Sequence, residues 1–172
     1  MKRKRKVCFI ITSFIHYARG ILILDELHKR RDIDLHVVVA GTALLPKYSS
    51  KEIHIKKELE NKGIKNIYEV FFNLEGDSPV VKAKTTGLGI IEFSILFNNL
   101  NPDLIVVRGD RFEVLSAAMA ASYMNIPIAH IEGGDVTGTL DESIRHSITK
   151  LSHIHFPTNK QAKKRLLQMG ER

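Results

Sequence analysis

The chain has 172 residues, of which 44% are hydrophobic, so it can bury one core and is unlike a disordered chain. Its 26 Lys and Arg exceed its 19 Asp and Glu, and the net charge of +7 favours an anionic partner: nucleic acid, a membrane surface or a phosphorylated ligand. A single cysteine, Cys8, excludes an internal disulfide or a cysteine-rich zinc site, and no stretch reaches the ~18 apolar residues of a membrane span.

Short apolar runs alternate with helical periodicity along the chain. The apolar runs predict six strands, at residues 6–12, 34–41, 66–72, 103–109, 126–132 and 153–157. Apolar residues spaced three or four apart predict helices at 17–30, 52–63, 80–100, 111–125, 140–151 and 158–170. Gly87 and Gly89 should weaken the long third helix. This alternation predicts an α/β fold, with a Rossmann-like parallel sheet and helices on both faces.

Ligands bind outside the carboxyl ends of the strands in such a sheet, so the segments after each strand hold the candidate site residues. After the first strand, Ser13 or Arg19 could help helix amides to bind a phosphate, although a plain connecting loop fits equally well. The sequence contains no Gly-x-Gly-x-x-Gly dinucleotide fingerprint. After the third strand, Glu75 and Asp77 have the setting of a solvated loop.

The fourth strand is followed by four charged side chains within residues 108–113. Asp110 could cap the next helix, because aspartate is favoured at that position. Arg111 at a helix start opposes the helix dipole, so local stability does not require it. An arginine held there suits an anionic ligand, and we therefore favour a functional role for this segment.

The fifth strand leads into residues 130–146, HIEGGDVTGTLDESIRH. His130 and Glu132 lie two apart and should point to the same side of an extended chain. Gly133 and Gly134 either leave room for a ligand to approach the backbone or form a tight turn.

Helix capping explains only part of this stretch. Thr139 and Glu142 fit a capping box, and Asp141 suits the first turn and could pair with Arg145 four residues later. Asp110, Glu132 and Asp141 could converge on one pocket, where a carboxylate cluster separates pKa values and so suits acid–base catalysis. His153 and His155, which alternate along a strand without a nearby carboxylate, are a weak metal signal and favour a half-buried strand.

Residues 109–113 and 130–146 resemble the hydrolysing UDP-N-acetylglucosamine 2-epimerases of sialic-acid and related nonulosonate biosynthesis. The resemblance is most specific over 103–157 and looser over 6–102. It implies that 1–172 form the N-terminal Rossmann-like domain of a GT-B-like enzyme whose C-terminal nucleotide-binding domain is absent from this chain. We therefore expect the isolated chain to be inactive. The implied reaction removes the C2 proton, expels UDP and adds water to give N-acetylmannosamine.

The resemblance also implies roles for individual residues. Asp110, Glu132 and Asp141 would be the acid–base carboxylates, and Arg111 would contact the diphosphate. The expected substrate-binding residues are Ser13, Arg111, His130, Gly133, Gly134 and Arg145. A UDP-sugar is the implied substrate, with no metal, redox cofactor, nucleic acid or membrane. The full-length enzyme would be a cytoplasmic homo-oligomer.

Two positions depart from the family pattern. The first loop reads Phe14-Ile15-His16-Tyr17 where the family often has Arg-x-Asp-Tyr, and Arg108 stands where a histidine is expected. A UDP-2,4-diacetamido sugar is therefore an alternative substrate. A GT-B glycosyltransferase half-domain and a non-enzymatic anion-binding module are alternative functions.

Overall fold

The computed structural model describes residues 3–45 and 54–172. The strands are β1 (Arg5–Ile11), β2 (Ile33–Ala40), β3 (Asn66–Val70), β4 (Leu104–Arg108), β5 (Ile128–Ile131) and β6 (Ile154–Phe156). The helices are α1 (Phe14–Lys29), α2 (Ile55–Asn61), α3 (Pro79–Leu100), α4 (Phe112–Tyr123), α5 (Leu140–Leu151) and α6 (Lys160–Gln168), with a 3-10 turn at Gly41–Leu44. The start of the helix predicted at 52–63 lies partly outside the described residues.

The six strands of the described ranges form one parallel sheet in the order β3-β2-β1-β4-β5-β6. The predicted α/β class and Rossmann-like topology are therefore confirmed. The strand order reverses between β1 and β4, because the chain first moves outward to β3 and then crosses back through α3. All carboxyl ends lie along one edge of the sheet, which brings the segments that follow β1, β4 and β5 together.

Two apolar layers cover the two faces of the sheet. Alternate side chains of β1 point to opposite faces, so Cys8 and Ile10 pack with α3 and α4, whereas Phe9 and Ile11 pack with α1 and α2. Cys8 is fully buried, and burial raises the pKa of its thiol. Within the described part of the chain, no helix is long and apolar enough to cross a membrane.

Gly89 explains why α3 and α4 approach each other closely. A Cβ at Gly89 would lie 2.8 Å from the Ser116 Cβ and 3.0 Å from the Phe72 ring. The Ser116 hydroxyl donates a hydrogen bond to the Thr86 carbonyl of α3 at 3.0 Å. The helix runs unbroken through both glycines, so at Gly89 the missing side chain serves packing in addition to lowering helix propensity.

Candidate active site

The candidate site lies where the strand order reverses, between the carboxyl ends of β1 and β4. A crevice at such a switch point is the usual ligand position in open parallel sheets. Three segments border it: residues 12–20 after β1, 108–113 at the end of β4, and 130–135 at the end of β5. The site residues predicted from the sequence all lie in these segments or on α5.

Glu132 is held by two arginines. The Arg108 guanidinium donates to both Glu132 carboxylate oxygens, at 2.6 and 2.9 Å, and to the Arg19 carbonyl oxygen at 2.8 Å. The Arg19 guanidinium lies 3.5 Å from Glu132. Burial alone would raise the pKa of Glu132, but the hydrogen bonds and charge of Arg108, with the charge of Arg19, hold it below its usual range. Glu132 is therefore ionised at neutral pH.

His130 and Glu132 do not share one side of an extended chain, so that prediction is wrong. β5 ends at Ile131, and Glu132 has a φ of 69°, which turns the backbone out of the strand. His130 is fully buried; its Nε2–H donates to the Gly109 carbonyl at 2.8 Å, and the Thr149 hydroxyl donates to Nδ1 at 3.2 Å. Burial lowers the pKa of His130 to about 4. This neutral imidazole ties β5 and α5 to the loop after β4, and its role in a sugar pocket stays a prediction.

Asp110 forms a close ion pair with Arg145, 35 residues away in sequence. Two predictions are thereby corrected. Asp110 does not cap α4, whose N-terminal cap residue is Arg111, and Arg145 does not pair with Asp141. The Arg145 side chain is only 6% exposed and also donates to the Asp135 carbonyl at 2.7 Å. Arg145 engages Oδ2 of Asp110, and Oδ1 has no hydrogen bond within the described ranges.

Arg111 is braced by Glu113. Its guanidinium donates to both Glu113 oxygens at 3.0 Å, and the Glu113 side chain is 0% exposed. Burial would lower the pKa of Arg111, but the Glu113 hydrogen bonds and the charges of Glu113, Asp141 and Asp110 raise it. Arg111 is therefore a partly exposed cation held rigidly beside the crevice, as an anion-binding role requires.

His16 was not among the predicted site residues, yet it lies buried beside Gly109, among the charges of the candidate site. The Ser13 hydroxyl accepts a hydrogen bond from the His16 amide at 3.3 Å, so Ser13 caps α1 and begins that helix at Phe14. The His16 ring shares a hydrogen bond with the Thr12 hydroxyl at 3.1 Å. A Cβ at Gly109 would lie 2.9 Å from its Nε2, so Gly109, with a φ of 79°, makes space for the ring.

The charges around His16 show how close the site residues are. Burial lowers the pKa of His16 to about 4, and Arg111 and Arg108 lower it further while Asp110 and Glu132 oppose them. Charges from β4 and β5 thus act on one imidazole, which stays neutral near pH 7. The sequence signal for His16 was its position after β1, because no motif surrounds it.

Gly133 and Gly134 pack against the protein itself. A Cβ at Gly133 would lie 2.9 Å from the Thr149 hydroxyl and 3.0 Å from the His130 ring. A Cβ at Gly134 would lie 2.6 Å from the Ala162 carbonyl of α6, and the Gly134 φ is 86°. These contacts explain why glycine is needed at both positions: the turn packs too closely against α5 and α6 for a side chain. A substrate contact through the backbone of Gly133 and Gly134 stays a prediction.

The predicted capping box at the start of α5 does not form. Thr139 is the cap residue, but its side chain makes no capping hydrogen bond. The Glu142 carboxylate instead accepts from the amides of Thr137 and Gly138, both at 2.8 Å. Asp141 is exposed, and its charge reaches Arg111. It has no hydrogen bond or ion pair with the part of the chain that the structure describes.

His153 and His155 do not form a pair along a strand. β6 begins at Ile154, and the His153 ring accepts a hydrogen bond from the Ile128 amide at 3.3 Å. His155 lies 3.1 Å from Glu171, so the expectation of no nearby carboxylate is wrong. Within residues 3–45 and 54–172, no group of three or more His, Cys, Asp and Glu side chains is arranged to hold a metal ion.

The site therefore combines fixed charges with a neutral imidazole. Asp110 is held by Arg145, Glu132 is held by Arg108 and Arg19, and Asp141 is open to solvent. Asp110 keeps one carboxylate oxygen available for proton transfer, and Arg111 presents a positive charge nearby. Such a set of groups can take up and deliver protons next to an anionic substrate.

Comparison with known proteins gives consistent results. A family profile described as UDP-N-acetylglucosamine 2-epimerase matches residues 25–172. A GDP/UDP-N,N'-diacetylbacillosamine 2-epimerase (hydrolyzing) from Campylobacter jejuni is 36% identical over 169 residues, which is 98% of this chain and 43% of that protein. A UDP-N,N'-diacetylbacillosamine 2-epimerase (hydrolyzing) from Legionella pneumophila is 36% identical over 168 residues, 98% of this chain and 44% of that protein.

A solved structure shares the fold. The UDP-GlcNAc 2-epimerase from Neisseria meningitidis, bound to UDP-GlcNAc, superposes with a TM-score of 0.80 at 23% identity over 97% of this chain and 44% of that one. At this identity the likeness concerns the fold, and it agrees with the predicted GT-B-like class. The chain spans less than half the length of each of these three proteins.

Proposed function

The chain belongs to the UDP-N-acetylglucosamine 2-epimerase family, and from this premise we propose that it is the N-terminal half of a hydrolysing 2-epimerase acting on a UDP-linked 2-acetamido sugar. The observation that carries the proposal is the pair of arginine-held carboxylates, Asp110 and Glu132, from neighbouring strands at the switch point. The two hydrolysing relatives support the reaction type.

The proposed reaction has two steps. A carboxylate takes the C2 proton of the sugar while the C1–O bond to UDP breaks, and the electron pair of the C2–H bond forms a C1=C2 double bond. Water then adds across that bond: hydroxide oxygen joins C1, and a proton reaches C2 from the opposite face. The products are UDP and the free 2-epimeric sugar, so atoms and charges balance.

The geometry supports different roles for the three carboxylates. Asp110 is the favoured base, because its Oδ1 is free to take a proton while Arg145 fixes Oδ2. Both oxygens of Glu132 are engaged by Arg108, so Glu132 suits orientation and charge balance until substrate displaces that contact. Asp141, exposed at the start of α5, suits proton delivery from the other side of the sugar.

The remaining groups would bind and shape the substrate. Arg111, fixed by Glu113, would contact the diphosphate, where a guanidinium also stabilises the charge that develops on the leaving UDP. Ser13 and Arg145 border the crevice. A C-terminal domain would supply the rest of the nucleotide site, and we expect the 172-residue chain by itself to be inactive.

A specific observation bears on the identity of the sugar: two relatives at 36% identity are named for diacetylbacillosamine substrates. A UDP-2,4-diacetamido sugar is therefore the second candidate substrate beside UDP-N-acetylglucosamine. Either free product would suit nonulosonate biosynthesis, the pathway class that we propose for the enzyme.

The test uses the full-length gene product that carries this chain, incubated with each UDP-sugar in deuterated water. The expected products are UDP and the free 2-epimeric sugar with deuterium at C2, identified by NMR and mass spectrometry. An intact UDP-linked epimer would contradict the hydrolysing reaction. Transfer of the sugar to an acceptor, with no free sugar formed, would instead support a glycosyltransferase.

A further inference from the structure

A chain of hydrogen bonds joins α5 to the residue that precedes Asp110. The Thr149 hydroxyl on α5 donates to Nδ1 of His130 at 3.2 Å, and Nε2–H of His130 donates to the Gly109 carbonyl at 2.8 Å. Thr149 and His130 are both 0% exposed. Burial lowers the pKa of His130 to about 4, so the ring is neutral at pH 7 and carries one N–H. Because a carbonyl only accepts, this N–H lies on Nε2, and Nδ1 is the acceptor.

Gly133 leaves room for this chain of hydrogen bonds. A Cβ on it would lie 2.9 Å from the Thr149 hydroxyl oxygen and 3.0 Å from Nδ1 of His130, which are the two atoms of one hydrogen bond in the chain. A side chain at residue 133 would push these two atoms away. Glycine at this position therefore allows the hydrogen bond between α5 and β5 to form.

The backbone of Gly109 is held on several sides. Its amide donates to the Ile131 carbonyl at 3.0 Å, and its carbonyl accepts from His130. A Cβ on Gly109 would lie 2.9 Å from Nε2 of His16, so that ring packs against the glycine. The Gly109 carbonyl belongs to the planar peptide group that ends at the Asp110 amide. The His130 hydrogen bond therefore fixes the direction in which the Asp110 side chain leaves the backbone.

The same helix also holds the Asp110 side chain. Arg145 of α5 bonds to Oδ2 of Asp110. Asp141, Arg145 and Thr149 follow one another at intervals of four residues, so they lie along one face of the helix. That face carries the exposed Asp141 together with two residues that hold Asp110. The helix therefore sets the spacing between the two carboxylates that would transfer protons on opposite sides of the sugar.

We propose that Thr149 and His130 are positioning residues, which aim the Asp110 carboxylate at the C2 proton through the Gly109 carbonyl and do not contact the substrate. The inference rests on the proposed function and adds two residues to it. The neutral His130 ring transfers no proton itself. It holds the peptide before Asp110, so that Oδ1, which Arg145 leaves free, meets the C2 proton in a reactive geometry.

The test measures kcat and KM of the full-length gene product with UDP-N-acetylglucosamine and UDP-N,N'-diacetylbacillosamine, each with hydrogen or deuterium at C2. Thr149→Val removes the hydroxyl and keeps the shape, so kcat should fall about 10- to 100-fold while KM changes by no more than about twofold. The isotope effect on kcat should rise, because a misaimed base slows proton transfer relative to the other steps. Thr149→Ser restores the hydroxyl and should bring kcat to within about threefold of wild type.

Thr85→Val is the matched control. It removes the hydroxyl of another buried threonine, which accepts a hydrogen bond from the Leu74 amide at 3.2 Å, and kcat, KM and the isotope effect should stay at wild-type values. His130→Phe breaks both hydrogen bonds of the chain. Adding Thr149→Val to it should lower kcat no further, because both residues act through one carbonyl. Circular dichroism checks that each variant is folded, and the Thr149 variants decide the question if His130→Phe is not.

With an active wild type, three results would overturn the positioning role. They are an unchanged kcat in Thr149→Val, a fall in kcat without a rise in the isotope effect, and an equal loss in Thr85→Val. A rise in KM that exceeds the fall in kcat in His130→Phe would place His130 against the substrate and would also overturn it.

Failure of the proposed function gives a different result. A wild-type protein that releases free epimer from neither sugar would contradict that function. NMR of the same protein with 15N-labelled histidine at pH 7 then tests the hydrogen-bond chain, with the His130 signal identified by its shift in Thr149→Ser. An Nε2–H tautomer supports the chain, whereas an Nδ1–H tautomer or a protonated ring overturns it.

Discussion

The two sides of the switch point differ in the polarity of their side chains. The ends of β4 and β5 carry paired charges, with Asp110 bound to Arg145 and Glu132 to Arg108. The ends of β2 and β3 enclose an apolar cavity with one amide. Under the proposed function, the charged side would move protons and hold the anionic substrate. Each expectation below tests one part of that contrast.

The largest effect is expected from Asp110→Asn on the charged side. The amide still accepts a hydrogen bond from Arg145 but cannot take a proton, so kcat should fall about 1000-fold. Steady-state turnover of the full-length gene product measures this. Asp32→Asn removes an arginine-paired carboxylate from the opposite, amino-terminal edge of the sheet, and it should leave kcat unchanged. Near-normal turnover in Asp110→Asn would remove Asp110 from the chemistry.

A stability measurement tests whether the charged side depends on its arginines. Arg108→Met leaves Glu132, with a side chain 18% exposed, without its bidentate partner. The free energy of unfolding at pH 7 should fall by about 2 to 4 kcal/mol, because a largely buried charge loses its counter-ion. Urea unfolding measures the change, and the exposed pair disrupted by Arg30→Met should matter little by comparison.

The pH dependence of that loss has a definite sign. In wild type, the folded-state pKa of Glu132 lies below its unfolded-state pKa. The Glu132–Arg108 pair therefore stabilises the protein at pH values above the unfolded-state pKa, and this stabilisation is lost as the pH falls through the folded-state pKa. In Arg108→Met, burial raises that pKa instead. The difference in stability between the two proteins should therefore shrink as the pH is lowered from 7 to 4. A constant difference would mean that Glu132 is not responsible.

The contrast between the two sides was only partly readable from the sequence. Apolar runs and helical spacing placed all six strands, and α5 was bounded at 140–151 as observed, because these patterns reflect burial on one or both faces. The partners of the charged groups were not readable. Local spacing favoured Asp141 for Arg145, but Arg145 is buried and pairs with Asp110, 35 residues away.

The apolar side was missed for a related reason. Residues 73–77 have a turn composition, and nothing in the sequence shows that Asn73 lines a cavity formed with α3 and the segment after β2. His16 was missed as well, since its burial depends on Gly109, which folds over it from β4. Both features arise from contacts between segments distant in sequence, which periodicity and motif spacing do not encode.

The two buried histidines give the next expected effect. Burial lowers the pKa values of His16 and His130 to about 4, below their unfolded values, so only the unfolded chain gains these protons as pH falls from about 6.5. Stability should therefore drop by roughly 2 kcal/mol for each histidine between pH 6.5 and 4.5. His16→Gln should remove about half of the pH dependence that the two histidines give to the free energy of unfolding. A His16 ring that titrates near pH 6.5 by NMR would contradict its buried position.

The smallest effect concerns how the helices that border the crevice begin. At the start of α1, the Ser13 hydroxyl accepts a hydrogen bond from the His16 amide. At the start of α5, the Thr139 side chain makes no capping hydrogen bond, and the Glu142 carboxylate accepts from the amides that precede the helix. Ser13→Ala should lower the free energy of unfolding by about 1 kcal/mol, and Thr139→Ala should leave it nearly unchanged. Urea unfolding of both variants at pH 7 makes the comparison. Equal losses of unfolding free energy in the two variants would support a capping box at Thr139. A loss confined to Ser13→Ala would show that the loop holding His16 is fixed by its own cap, whereas the start of α5 beside Asp141 is held by Glu142.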